Sequence, residues 1–218
     1  MMTKLNIYLV RHGQTFYNRY NKLQGWSNSP LTTTGQEQAV RVGQRLKEIH
    51  FDAAFTSDLS RAVETAKLIL GQNDADSVTQ PQTLPELREE FYGSYEGENM
   101  SWAWEMAGLP HGLKTFKEIV TAHSIDTAKD WLKDADPFRD AEDHQEYWAR
   151  LEQGLAKIRQ ADLPAEANVL WVSHGNTCLS LVERFGAGKY DITERPKNGS
   201  LSRLILTDDD LKFVSYNE

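Results

Sequence analysis

Two histidines at predicted strand ends are each followed by glycine, His12-Gly13 and His174-Gly175, and Arg11 precedes the first of them. An imidazole can serve as nucleophile or proton carrier, and a guanidinium presents a planar donor fork that matches phosphate. Glycine lets backbone and ligand approach closely. Arg61, near the start of a predicted helix, adds a second fork. Taken singly, each residue has a plainer reading. A histidine after a strand is most often a hydrogen-bonded structural residue. Arg61 lies at helical spacing from Glu64 and close to Asp58, and could simply pair with either. Glu89 and Glu90 could be exposed carboxylates, and Asn18, Gln24 and Asn176 polar loop and cap residues. In combination the histidines and arginines describe an anion site that needs no metal. The chain has no His-Glu-x-x-His pattern, and its single cysteine, Cys178, can form neither a thiolate cluster nor an intramolecular disulfide.

The elements that must position these groups alternate. Leu5 to Val10 reads as a buried strand running into Arg11-His12-Gly13. From Gln36 to Ile49, Ala39, Val42, Leu46 and Ile49 recur at helical spacing. Asp52 to Thr56 is a second short strand, with Ser57-Asp58 as the cap of a helix over Leu59 to Leu70. A polar loop from Gly71 to Gln82 leads to an expected edge strand over Thr83 to Leu87. A long helix is expected over Ala141 to Gln160, then a strand over Asn168 to Ser173 ending at His174-Gly175, and a helix through Phe185. Leu201 to Leu206 and Leu211 to Tyr216, around Asp208-Asp209-Asp210, read as a closing strand pair. The expected fold is α/β: a three-layer sandwich with a mostly parallel central sheet and helices on both faces. Ligands in such sheets bind beyond the carboxyl ends of the strands, where both His-Gly pairs fall. Residues 98 to 140 break the pattern. They hold Trp102, Trp104 and Trp131 among short helical segments, and are expected to form a helical insertion over the site.

With 218 residues the chain suits one domain, residues 1–218, carrying that insertion about 98–140. Its 39% apolar and 26% charged content is that of a globular protein. A net charge of -8 argues against a nucleic-acid partner, so an anionic substrate has to meet a local basic pocket. The start, Met1 to Val10, is too short in apolar residues for a signal core or membrane span, and one cysteine fits a reducing compartment. A cytoplasmic location, with no membrane and no nucleic acid as partner, is the expectation.

Leu9-Val10-Arg11-His12-Gly13-Gln14-Thr15 with Asn18, Gln24-Gly25 and Pro30-Leu31-Thr32 with Gly35 follow one another in order. Ser57-Asp58-Leu59-Ser60-Arg61-Ala62 with Thr65-Ala66 comes next, then Leu87-Arg88-Glu89 with Gly93 and Glu96-Gly97, and Val172-Ser173-His174-Gly175. This series resembles the histidine phosphatase superfamily, which includes phosphoglycerate mutases and broad-specificity and fructose bisphosphate phosphatases. The likeness covers most of residues 5 to 97 and 168 to 185 and is weak in the insertion.

The resemblance implies that His12 is a nucleophile forming a phosphohistidine, that Arg11, Arg61 and His174 clamp the transferred phosphoryl group, and that Glu89 donates the proton. Asn18, Gln24, Gly25 and Asn176 would be substrate contacts. Glu90, expected to alternate to the opposite side of an extended segment, is left to solvent or to Arg88. A neutral imidazole would need its second nitrogen held, by a backbone carbonyl for instance. No cofactor or metal is implied. The partner is a phosphorylated small molecule, hydrolysed as a phosphate monoester. A homodimer is compatible with the sequence, which leaves the oligomeric state open. Two other functions remain in view. A phosphoglycerate mutase of this family carries Arg-His after the glutamate where this chain has Glu90-Phe91, and the insertion offers only the scattered Lys114, Lys117, Lys129, Lys133 and Arg139. A noncatalytic phosphate-binding protein would not need both histidines, both arginines and Glu89.

Overall fold

Strands β1 (Lys4–Arg11), β2 (Ala53–Thr56), β3 (Gln82–Thr83), β4 (Glu166–Ser173), β5 (Leu201–Thr207) and β6 (Leu211–Ser215) form one sheet in the order β3-β2-β4-β1-β5-β6. The computed structural model describes residues 4–218, so the Met1 to Thr3 start lies outside the described residues. Neighbours from β3 to β1 are parallel, and β5 and β6 are antiparallel additions at one side. The mostly parallel sheet expected from the alternation of elements is what forms.

Period-two side-chain alternation splits the core into two layers. Leu5, Ile7 and Leu9 of β1 with Val169 and Trp171 of β4 pack against α7 (His144–Arg159) and α8 (Gly175–Phe185). Val10, Leu170 and Val172 face the other way, onto α2 (Thr33–Arg45) and α3 (Ser60–Leu70). Helices therefore cover both faces. The helix that follows β1 through the short α1 (Phe16–Arg19) is α2, and the helix that follows β4 is α8. They leave adjacent strands toward opposite faces, which opens a crevice between the carboxyl ends of β1 and β4.

Several boundaries differ from the sequence expectation, each for a local reason. Helix α2 begins at Thr33 because the Thr32 side chain accepts from Gly35 N, and it ends before Ile49. Helix α3 has Leu59 at its N-cap with no side-chain cap. Ser57 and Asp58 are engaged elsewhere, as described below. Only Gln82–Thr83 pairs as strand, and Pro85–Leu87 is a 3-10 turn with proline in its first turn. Proline cannot donate to a ladder, and its fixed φ suits a helical start.

The insertion consists of α4 (Met100–Gly108), α5 (Phe116–Ala122) and α6 (Ile125–Ala135). Its apolar side chains make a third core, in which Trp104, Phe116, Ile119 and Leu132 join Tyr92, Leu23 and Leu179 of α8. Buried Asp136 ties its end down, accepting from Ser94 Oγ at 2.6 Å and from the backbone N–H of Asp140 and Ala141 at 2.9 and 3.0 Å. Among the described residues no helix is long and apolar enough to cross a membrane.

Candidate active site

The parallel register pairs Arg11 with Ser173, so the next residues on each strand, His12 and His174, emerge side by side. His12 N donates to Ser173 O at 2.9 Å, and the two rings lie 5.4 Å apart, centre to centre. Both are buried. His12 Nδ1 is 2.8 Å from Gly13 O; a carbonyl only accepts, so Nδ1 carries the proton and the lone pair sits on Nε2. Burial, then the charges of Arg61 and Arg11, hold the His12 imidazolium well below the usual histidine range. Burial, then Arg61 and His12, act the same way on His174. Both rings are neutral near pH 7. The tight approach of the His12 loop to α2 needs glycine on both sides: a Cβ on Gly13 would fall 2.3 Å from Gly35 O, and one on Gly35 would fall 2.1 Å from Gln14 O.

Arg61, near the start of α3, is wholly buried, and neither Glu64 nor Asp58 is its partner. Glu64 accepts from Gln36, while Asp58 is bridged in a two-point pair by Arg88. The Arg61 guanidinium instead donates to the carbonyls of Ser27, Gln24 and Gly25 at 3.0, 3.3 and 2.8 Å, and its Nε points to His12 Nε2 at 3.3 Å. Glu96 fixes those carbonyls, because its carboxylate collects the backbone N–H groups of Gly25, Trp26 and Ser27 and the Ser27 hydroxyl. Ser57 meets His174 Nε2 through its hydroxyl at 2.9 Å. Arg11 donates to Pro196 O, and burial followed by the charge of Arg195 lowers its pKa to about 10.

Glu89 and Glu90 do not alternate, because the segment is irregular rather than a strand. Both turn toward the first turn of α8. Glu89 accepts from Asn176 N at 2.8 Å and from Thr177 N and Oγ1, both at 2.9 Å. Glu90 is fully buried and accepts from the Asn176 side chain at 2.6 Å, which corrects the expectation that it faces solvent or Arg88. Burial pushes the Glu90 carboxyl up to about 8, against the opposing pull of Lys129 and the Asn176 bond. The Asn176 amide is thereby turned into the interior. From α7, Arg150 clamps the preceding backbone, donating to the carbonyls of Glu86, Arg88 and Glu89.

A narrow cleft runs down to His12, and Arg11, Asn18, Gln24 and Glu89 line it as the sequence suggested. Arg61 and His174 do not line it themselves, though Arg61 Nε reaches His12 Nε2, and Gly25 serves through its backbone. Asn18 Oδ1 accepts from Thr15 N and Asn198 Nδ2, and Gln24 Oε1 accepts from Thr15 Oγ1. Neutral imidazole, buried cations and a carboxyl around one cleft are the parts of an anion-transfer site.

Residues 7–218 match the family model of the histidine phosphatase superfamily (branch 1). The chain belongs to that superfamily. A 2,3-bisphosphoglycerate-dependent phosphoglycerate mutase of Dichelobacter nodosus is 30% identical over 220 residues, covering 95% of this chain and 89% of the relative. The fructose-2,6-bisphosphatase TIGAR B of Danio rerio is 39% identical over 123 residues, but the match spans 52% of this chain and only 48% of that protein. In three dimensions the crystal structure of a phosphoglycerate mutase from Bacillus anthracis superposes with a TM-score of 0.87 at 31% identity, covering 100% of this chain and 94% of the other.

In this histidine phosphatase superfamily member five cleft residues escaped the sequence reading: Lys22, Leu23, Tyr92, Met100 and Arg195. Arg195 donates to Met100 Sδ at 2.9 Å and lies over the rings of Phe116 and Trp104 at 4.9 and 5.8 Å. The available signal was Arg195-Pro196-Lys197-Asn198-Gly199, a basic turn leading into β5. Because β5 runs antiparallel to β1, the turn before it lies at the carboxyl end of β1, beside His12.

Proposed function

We propose that this protein is a phosphohydrolase that cleaves phosphate monoesters through a phosphohistidine on His12. The observation that carries the reading is the His12 ring itself, neutral and oriented by Gly13 O, with its Nε2 lone pair facing the cationic Arg61. In the first step Nε2 attacks phosphorus, the bond from phosphorus to the ester oxygen breaks, and Glu89, as general acid, passes a proton to the departing oxygen. A phosphoryl oxygen takes over the Arg61 Nε donor, and Arg11, Arg61 and His174 stabilise the equatorial oxygens. In the second step water attacks the phosphohistidine, Glu89 takes its proton, and phosphate leaves with His12 restored.

Labelled substrate quenched within the first turnover is expected to leave acid-labile, base-stable label that is absent in His12→Ala. Label that survives the substitution, or that resists acid, overturns the assignment. Because cationic side chains supply the electrostatics, turnover of phenyl phosphate is expected to be unchanged in excess EDTA. Loss of turnover under those conditions contradicts it.

The near-complete match to proteins named phosphoglycerate mutase favours a second reading, phosphoryl transfer between positions of phosphoglycerate. Hydrolysis is preferred because the insertion contributes only Met100 to the cleft, and buried Glu90 follows Glu89. Phosphorus NMR with 3-phosphoglycerate separates them: released phosphate supports hydrolysis, and an isomerised ester without release supports the mutase.

A further inference from the structure

The 195–199 segment also lines a second cavity, of about 600 Å³. Five cations line it, Arg11, Arg41, Arg45, Arg195 and Lys197, and no Asp or Glu does. In a chain with 24 basic and 32 acidic residues this is a local inversion of charge. Arg41 and Arg45 stand one helical turn apart on α2 and form one lip. Gly199 presses on the same helix, where an added Cβ would fall 2.8 Å from Gln38 Cβ, so the 195–199 segment is seated as the facing wall.

Little of this charge is neutralised. Arg41 reaches Glu37 only at 4.0 Å and Arg45 reaches Glu218 at 3.5 Å, both in exposed pairs that salt screens. Among the described residues Arg195 and Lys197 have no carboxylate partner. Arg195 also presses its charge on Arg11.

We propose that this cavity is a second anion site, which takes the di- or triphosphate group of a small molecule and is distinct from the place of the transferred phosphoryl group. Guanidinium forks on two facing walls suit several phosphate oxygens at once, and the volume lies within the range of small-ligand sites. The site shares Arg11 and Arg195 with the cleft, so an anion here lies within electrostatic reach of it.

The test is calorimetric titration of tripolyphosphate into protein whose cleft is saturated with phenylphosphonate. One equivalent is expected to bind, and Arg41→Glu with Arg45→Glu to weaken it by about tenfold or more. The milder Arg41→Gln with Arg45→Gln guards against a folding effect and is expected to give an intermediate loss. The same charge change at exposed Lys67 and Lys189 is expected to leave affinity within about threefold. No binding, binding that phenylphosphonate abolishes, or equal affinity in both charge-reversed proteins overturns the proposal.

Discussion

His12 and Glu89 are held by different means, and the difference sets what substitution does at each. His12 is oriented by its own loop, through Gly13 O, whereas Glu89 is oriented from a distance by the first N–H groups of α8. Those donors and the Thr177 hydroxyl aim one carboxyl group while its neighbour Glu90 is locked on Asn176. In the proposed role of proton donor, Glu89 matters in proportion to how poorly the ester oxygen leaves. Glu89→Gln is expected to slow an alkyl phosphate by about 100-fold or more and an aryl phosphate by less than about tenfold. Steady-state rates on a series of leaving groups check this; a uniform loss across the series shows that Glu89 acts on binding instead.

At the scale of elements, the Arg61 guanidinium depends on a loop rather than on its own helix. Arg61 is gripped by the carbonyls of residues 24 to 27, and Glu96 grips the N–H groups of the same loop. Glu96→Gln replaces an acceptor oxygen with a donor that faces other donors, so the loop and Arg61 shift together. Misplacement of about 1 Å at a reacting centre costs on the order of 100-fold, and a kcat loss of about 10- to 100-fold is expected while the circular dichroism spectrum stays native. A normal kcat rules out this chain of support.

The insertion is an element with its own core, so its three tryptophans divide as reporters of ligand binding. Trp131 stacks on His111, and Trp102 is exposed beside Tyr95. Of the three, Trp104 alone lies next to Arg195, which lines a cleft that leaves about 20 Å³, room for roughly one water. Arg195 and Met100 both line it and touch each other, so an anion bound there lies within reach of Arg195. Vanadate is therefore expected to change Trp104 fluorescence, and the change to vanish in Trp104→Phe but persist in the Trp102→Phe and Trp131→Phe proteins. A response carried by Trp131 contradicts it.

For the whole molecule, buried titratable groups bound the pH range of stability from both sides. Glu90 rises from an ordinary 4.5 to about 8 in the fold. Its folded form holds a proton that the unfolded chain releases, so stability from this group is full below pH 4.5 and is lost as pH rises through about 8. His12 and His174 act in the opposite sense. Held well below 6.5, they stay neutral in the fold while the unfolded chain takes up protons, so stability falls as pH drops below 6.5. Glu90→Gln keeps an oxygen for Asn176 and removes the alkaline loss. Thermal melts at pH 6 and pH 9 are expected to show a smaller drop than wild type, by about 2–4 °C for each kcal/mol relieved. Parallel drops in the two proteins refute the role of Glu90.

The sequence by itself determined what depends on neighbours along the chain. Runs of buried β-favouring residues and helical spacing placed β1, β4 and the helices after them, and a strand followed by His-Gly put His12 and His174 at strand ends. Even the held tautomer of His12 is local, since its partner is the next residue. What the tertiary structure decided depends on groups far apart in sequence. Glu90 is buried because α8 and the insertion core close over it, and its partner is 86 residues away. Arg61 passes over Asp58 and Glu64 for carbonyls more than 30 residues distant, because burial removes the solvent that would stabilise an exposed pair. Arg195 reaches the cleft at His12 only because an antiparallel strand begins where its parallel neighbours end. Alternation cannot show such choices. It records which face a residue takes within a regular element, and the groups that a buried charge meets are chosen by how those elements pack.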